Sequence, residues 1–203
     1  AGQTTTTTSG DSVSTVYDVS AVAEAAMPSL VSITNMGEQE IQSFFGTYTQ
    51  ASESSGTGII VGKNDDELLI ATNNHVVEGS EQLNVCFIDN EIVSALVKGT
   101  DATNDLAVIA VSLSDIPEET LNKISIAQLG DSDSLKIGEP VIAIGNALGY
   151  GQSVTTGVIS ALDREVTIEN MTSSLIQTDA AINPGNSGGA DGPTAIYVTT
   201  KLA

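Results

Sequence analysis

Basic residues are scarce in this 203-residue sequence: six lysines and arginines stand against 26 aspartates and glutamates, a formal net charge of −20 at pH 7. Such a surface repels a phosphate backbone, so no nucleic-acid partner is expected, and an anionic membrane face is disfavoured for the same reason. Cysteine occurs once, at Cys86, which rules out an intrachain disulfide. Its neighbours Val85, Phe87 and Ile88 are apolar, which reads as a buried structural thiol and not as a nucleophile. Tryptophan is absent and only three Phe and four Tyr occur, so a core must be built from Val, Ile, Leu and Ala. No apolar run approaches the ~18 residues of a membrane span, and no signal-peptide pattern is present. No cluster of metal-ligand type occurs, so metal-dependent hydrolysis is not expected, and no cofactor is expected.

The chain is nevertheless 40% hydrophobic, enough to bury a sizeable core in one large domain or two small ones sharing an interface. Nineteen glycines and many Val-, Ile- and Thr-rich runs favour strands joined by tight turns, hence an all-β class. Residues 1–15 are polar and Thr-rich and read as a flexible arm or linker. Tyr17 to Leu30 predicts a short helix, with Val19, Val22, Ala23 and Ala26 on one face and Pro28 ending it. Six β-rich runs follow: Val31–Thr34, Gly58–Val61, Leu68–Thr72, Leu83–Ile88, Ile92–Val97 and Leu106–Val111. The stretch between the first two has no clean period and reads as a mobile surface loop. The acidic span Ser112 to Ile124, with Pro117, reads as a link between two halves. A second set, Val141–Ile144, Val154–Ala161, Val166–Ile168, Leu175–Thr178 and Ala195–Thr200, completes the pattern of a double β-barrel. The first barrel is placed at about 31–111 and the second at about 124–200, within a domain over 16–200.

Three residues stand out chemically. His75, the one histidine, directly follows a β run in Thr72-Asn73-Asn74-His75-Val76-Val77. Asp105 opens an apolar strand in Asn104-Asp105-Leu106-Ala107-Val108. Ser187 lies in Asn183-Pro184-Gly185-Asn186-Ser187-Gly188-Gly189. Glycines around that serine permit the tight turn that exposes a nucleophilic Oγ and brings backbone N–H groups close. Each residue alone has a structural reading: a core histidine, a turn acid, a Gly/Ser-rich loop. Their order, His then Asp then Ser, is that of chymotrypsin-type serine proteases and differs from subtilisin and the α/β-hydrolases.

From Val19 to Ala190 the chain resembles the protease domain of the HtrA (DegP/DegQ-like) serine proteases. The resemblance rests on the three stretches above together with Ser55-Gly56-Thr57-Gly58, Gly130-Asp131-Ser132, Gly145-Asn146-Ala147-Leu148-Gly149, Thr156-Gly157-Val158-Ile159-Ser160-Ala161 and Gln177-Thr178-Asp179-Ala180-Ala181-Ile182. It implies a chymotrypsin/trypsin-like double β-barrel and a serine endopeptidase with His75 as general base, Asp105 orienting the imidazole and Ser187 as nucleophile. Gly185 and Ser187 are expected to supply oxyanion-hole N–H groups, with the Asn186 peptide orienting the turn. Asn186 stands where trypsins carry an acid, so activation by clipping is not expected. Ala181 stands where trypsin-like pockets carry an acid, which removes the basis for Lys/Arg preference. The resemblance implies cleavage after small aliphatic residues in unfolded or misfolded polypeptides, with Ile182 lining the pocket, in extracytoplasmic protein quality control. It further implies a homotrimer contacting through Tyr17–Val22 and a membrane-anchored parent with a following PDZ domain; for the loop carrying Phe44, Phe45 and Tyr48 it offers regulation of access, against which local packing of these aromatics is the plainer reading. The match breaks at Asp191, so the second barrel is expected to be incomplete, and Lys201-Leu202-Ala203 reads as a vector-derived tail. The competing readings are a protease-like scaffold that binds unfolded polypeptide without cleaving it and a structural β-domain suggested by the Thr-rich arm.

Overall fold

The computed structural model describes residues 4–6, 15–43, 46–146, 152–168 and 171–182. In the Thr-rich segment, Thr4–Thr6 (β1) pairs antiparallel with Thr15–Tyr17 (β2). Helix α1 spans Ser20–Ala26 and runs into a 3-10 turn, Met27–Ser29, that contains Pro28. Proline is tolerated there because a first-turn N–H has no intrahelical partner to lose. The predicted helix face is the one that packs: Ala23 and Ala26 are buried, with Val19 and Val22 against the same cluster.

Six antiparallel strands then close into a barrel. They are β3 (Leu30–Ser43), β4 (Gly46–Lys63), β5 (Glu67–Thr72), β6 (Ser80–Cys86), β7 (Ile92–Asp101) and β8 (Leu106–Ser112). Their order is β3-β4-β5-β8-β7-β6, with β6 returning to β3. Closure removes sheet edges, so every strand is paired on both sides. Alternate side chains point inward: Leu68, Ile70 and Thr72 of β5 are buried while their neighbours are not. Ile33, Ile60, Ile70, Val85, Ile109 and Val111 are almost wholly enclosed, and each such side chain stabilises the fold by about 1.5–3 kcal/mol.

Three sequence expectations change here. The stretch read as a surface loop between Thr34 and Gly58 is a continuation of β3 and β4, paired in register from Thr34↔Ser55 to Ser43↔Gly46. A strand pair that runs beyond the barrel needs no apolar alternation, because its backbone groups satisfy one another; the period-based reading therefore missed it. Phe44 and Phe45 lie outside the described residues. Cys86 is half-buried rather than buried, and desolvation, with Asp89 nearby, pushes its thiol pKa up, which keeps it a poor nucleophile. Finally, the span read as a link packs on the barrel. Ile116 joins the barrel core, helix α3 (Glu118–Leu121) follows Pro117, and the buried Thr120 donates to Asp89 Oδ2 at 2.9 Å.

The chain next runs along the barrel exterior, where Ser125 N–H donates to Pro28 O at 3.0 Å and Ala127 N–H to Ile60 O at 2.8 Å. A three-stranded sheet follows in the order β11-β10-β9, from β9 (Pro140–Asn146), β10 (Gln152–Ile168) and β11 (Met171–Thr178). Val166–Ile168, expected as a strand of its own, is the end of β10 and pairs with Met171–Ser173. Register shifts between Ile159 and Arg164, with Asp163 at φ 53°, interrupt the alternation there and made one strand read as two. Strand β9 is apolar on both faces for a reason. Ile142 and Ile144 pack with α1, Leu30 and Ile59, joining sheet to barrel, while Val141 and Ala143 pack with Ile159 and Ala180. The run Ala195–Thr200 and the tail 201–203 lie outside the described residues.

Candidate active site

His75 is carried by α2, a four-residue helix, Asn74–Val77, that begins where β5 leaves the barrel. The strand ends on Thr72, fully buried, whose hydroxyl is satisfied by donating to Thr57 O at 2.8 Å. The helix lies against the barrel wall at Gly56. A Cβ placed on that glycine would stand 2.6 Å from Val76 Cγ2, so only glycine leaves room. The Gly56-Thr57-Gly58 stretch read from the sequence thus has a packing role beneath the histidine.

Asp105 closes the turn between β7 and β8. Its φ of 51° is left-handed, a conformation that aspartate tolerates better than most side chains. The turn is folded by Asp101, whose Oδ1 accepts from the N–H groups of Thr103 (3.0 Å) and Asn104 (3.2 Å) and whose Oδ2 accepts from Asn104 Nδ2 at 2.7 Å. The Asn104 side chain, then the backbone donors, hold the Asp101 carboxyl below its ordinary 3.8.

These two loops, 30 residues apart in sequence, meet. Asp105 Oδ2 lies 2.7 Å from His75 Nδ1, and Oδ1 accepts the backbone N–H of His75 at 3.0 Å. Asn73 Nδ2 donates to the Asp105 carbonyl at 3.0 Å, so backbone and carboxylate are both tied to the histidine segment. An ionised carboxylate only accepts, which assigns the proton to Nδ1 and leaves Nε2 as a base. Nε2 is buried and has no hydrogen-bond partner among the described residues.

The chain leading toward Ser187 is fastened to β10. Asp179 Oδ1 accepts from Val158 N–H at 2.7 Å, Thr178 Oγ1 donates to Val158 O at 2.8 Å, and Thr155 Oγ1 donates to Ala181 O at 2.9 Å. Gly157 lies so close to Asp179 and Ala180 that a side chain there would collide with the Ala180 backbone. Ile182 packs half-buried against the cluster of Val141, Ala143, Ile159 and Ala180. Gly185, Asn186 and Ser187 lie outside the described residues. The structure therefore brings together two of the three candidate catalytic residues. Asn35, Asn73, Thr155 and Asp179 received no role from the sequence; Asn73 and Asp179 stand inside stretches already noted there, whereas Asn35 carries no local signal.

The trypsin-like peptidase domain model matches residues 56–191. The chain belongs to the trypsin-like peptidase family. This trypsin-like domain is 41% identical over 182 residues to the serine protease Do-like HtrA of Bacillus subtilis, covering 84% of the chain and 39% of the relative. It is 38% identical over 206 residues to the protein of that name from Lactococcus lactis subsp. cremoris, covering 92% of the chain and 49% of the relative. Among solved structures, a variant of the HtrA-type protease AlgW with a decapeptide superimposes with a TM-score of 0.71 at 34% identity, over 85% of this chain and 54% of that one. The trypsin-like domain thus spans half or less of the length of these two curated relatives. With these likenesses the closed barrel and second sheet are those of a chymotrypsin/trypsin-like fold.

Proposed function

We propose that this chain is the catalytic domain of an HtrA-type serine endopeptidase. The observation that carries the reading is the His75–Asp105 pair at 2.7 Å, with Nε2 left unpartnered among the described residues, in a chain that places Gly185-Asn186-Ser187-Gly188-Gly189 after it.

In the proposed mechanism Ser187 Oγ attacks the scissile carbonyl while His75 Nε2 takes its proton. The C–N bond then breaks, the leaving amine takes that proton from His75, and an acyl ester remains on Ser187. Water, deprotonated by the same Nε2, hydrolyses the ester and returns the proton to Oγ. Base catalysis of this kind contributes about 10²–10⁴-fold. Asp105 holds the Nδ1–H tautomer and stabilises the imidazolium without itself taking the proton. The N–H groups of Gly185 and Ser187, with the Asn186 peptide between them, receive the oxyanion, each donor contributing about 3–4 kcal/mol in proteases of this type.

Substrates in this reading are unfolded or misfolded polypeptides, cut after small aliphatic residues in a pocket lined by Ile182. Ile182 stands half-buried beside Val141, Ala143, Ile159 and Ala180, so the side chain that leads into the Ser187 segment is an apolar one. Extracytoplasmic quality control, a homotrimer through Tyr17–Val22, and a membrane-anchored parent with a PDZ domain belong to the same proposal, as do the two barrels at about 31–111 and 124–200. A relative from Hahella chejuensis, 43% identical over 140 residues, is named a probable periplasmic DegP-like endoprotease, which supports the location. No helix among the described residues is long and apolar enough to cross a membrane.

The test is labelling with a fluorophosphonate probe, the adduct mapped by mass spectrometry. Selective modification of Ser187, lost in Ser187→Ala and in His75→Ala, is the expected result. A folded protein that stays unlabelled yet binds unfolded polypeptide would replace the peptidase with a binding scaffold.

A further inference from the structure

Asn35 sits on β3, far in sequence from the histidine, yet its side chain reaches the end of α2. Nδ2 donates to Val76 O and to Glu78 O, both at 3.0 Å. Asn35 is 5% exposed, so water cannot take over these bonds cheaply. A four-residue helix cannot hold itself: its last carbonyls have no intrahelical partner, and its cooperativity is negligible. The helix entrance is already tied, by Asn73 to the Asp105 carbonyl, and its flank rests on Gly56. The exit is tied by Asn35 to the carbonyls immediately after His75. One planar amide with two donors bridges two carbonyls, which restrains the rotation of the short helix about its axis and hence the direction in which His75 leaves the backbone toward Asp105. The Oδ1 of Asn35 is buried without a partner among the described residues. That unmet acceptor is a cost a purely apolar core residue would avoid, and it is consistent with the position being set by what the donors do.

We propose that Asn35 is a positioning residue for the reaction: it locks the exit of α2 so that His75 meets Asp105 on one side and the nucleophile on the other. The proposal rests on the peptidase reading for its consequence in catalysis, but its geometric part is testable without catalysis. His75 is the only histidine in the sequence, so its ring resonances need no assignment among alternatives.

Three measurements on the whole chain test it. In the wild-type protein, NMR couplings across hydrogen bonds are expected from Asn35 Nδ2 to the carbonyl carbons of Val76 and Glu78; their absence, with the side-chain amide exchanging like an exposed one, overturns the proposal. In Asn35→Asp, which keeps the shape and loses the donors, and in Asn35→Ser, the downfield Nδ1–H resonance of His75 is expected to shift or broaden. Fluorophosphonate labelling of Ser187 is expected to slow by roughly tenfold or more, the kcat for peptide cleavage to fall, and KM to change little. Leu68→Ala, a barrel-core change at the opposite end of β5, lowers the melting temperature and is expected to leave the resonance in place. If the Asn35 variants move the resonance and the labelling rate no more than Leu68→Ala does, Asn35 serves stability alone and the proposal fails. If wild-type Ser187 is never labelled, the peptidase reading fails, while the couplings and the resonance still decide whether Asn35 orients His75.

Discussion

In the barrel, Leu68, Ile70, Ile109 and Val111 share one enclosed interior. In the three-stranded sheet, β9 divides its side chains between two clusters, Ile142 and Ile144 toward α1 and the barrel, Val141 and Ala143 toward Ala180 and Ile182. The parts of the site inherit this difference. His75 and Asp105 stand at one end of a closed barrel, on a short helix and a turn held by the amides of Asn35 and Asn73 and bonded to each other. The segment Thr178–Ile182 lies across β10 and is fastened by side-chain oxygens to single backbone groups. A closed interior tolerates loss of a surface contact and resists loss of volume. The segment laid across β10 depends instead on each polar tie.

The largest expected effect falls on the barrel's polar pair. Asp105→Asn keeps the left-handed backbone that φ 51° demands, since asparagine tolerates it too. It removes the carboxylate that selects the Nδ1–H tautomer, so kcat should fall on the order of 10⁴-fold with little change in denaturation midpoint. Unchanged turnover would mean the barrel does not hold a catalytic pair.

Next come paired deletions in the two regions. Ile70→Ala should cost about 2–5 kcal/mol in urea denaturation, toward the upper end because a closed barrel cannot collapse onto the cavity. Ile142→Ala, at the junction of sheet and barrel, is expected to cost less, since α1 can settle inward. Equal losses would erase the distinction between the regions.

The polar ties of the sheet give smaller changes. Asp179→Ala removes the acceptor of Val158 N–H and should cost about 0.5–1.5 kcal/mol, because water reaches this bond. Its effect on Ser187 labelling should exceed its effect on stability, and Asp179→Asn, which restores an oxygen acceptor, should recover most of the rate. The smallest effect concerns Asp101. Its folded pKa lies below 3.8, so its support of the Asp105 turn is fully present above that pH. The support is lost as pH falls through the lowered value. The amide shifts of Thr103 and Asn104 should follow that titration in the wild type and not in Asp101→Asn.

Much of this was legible beforehand, and the exceptions share a cause. Each barrel strand overlaps one of the six runs picked out from the sequence, the run Leu83–Ile88 overshooting β6 by two residues, because half-buried strands must alternate and β5 does so over its whole length. The helix face of Val19, Val22, Ala23 and Ala26 was readable for the equivalent reason at a different period. The extended β3–β4 hairpin was not, since backbone pairing in register needs no apolar period in the sequence. Nor was the continuity of β10, whose register shifts break the period.

The order His75, Asp105, Ser187 and the glycines around them belong to the sequence by itself, because they follow from local turn chemistry and chain order. The 2.7 Å approach of Nδ1 to Oδ2, and the reach of Asn35 to a helix 41 residues away, were decided only by the tertiary structure. Side chains so far apart along the chain acquire a common neighbourhood only when β3 and β6 close the barrel. No local pattern encodes that closure, because its stabilisation comes from an interior that all six strands share.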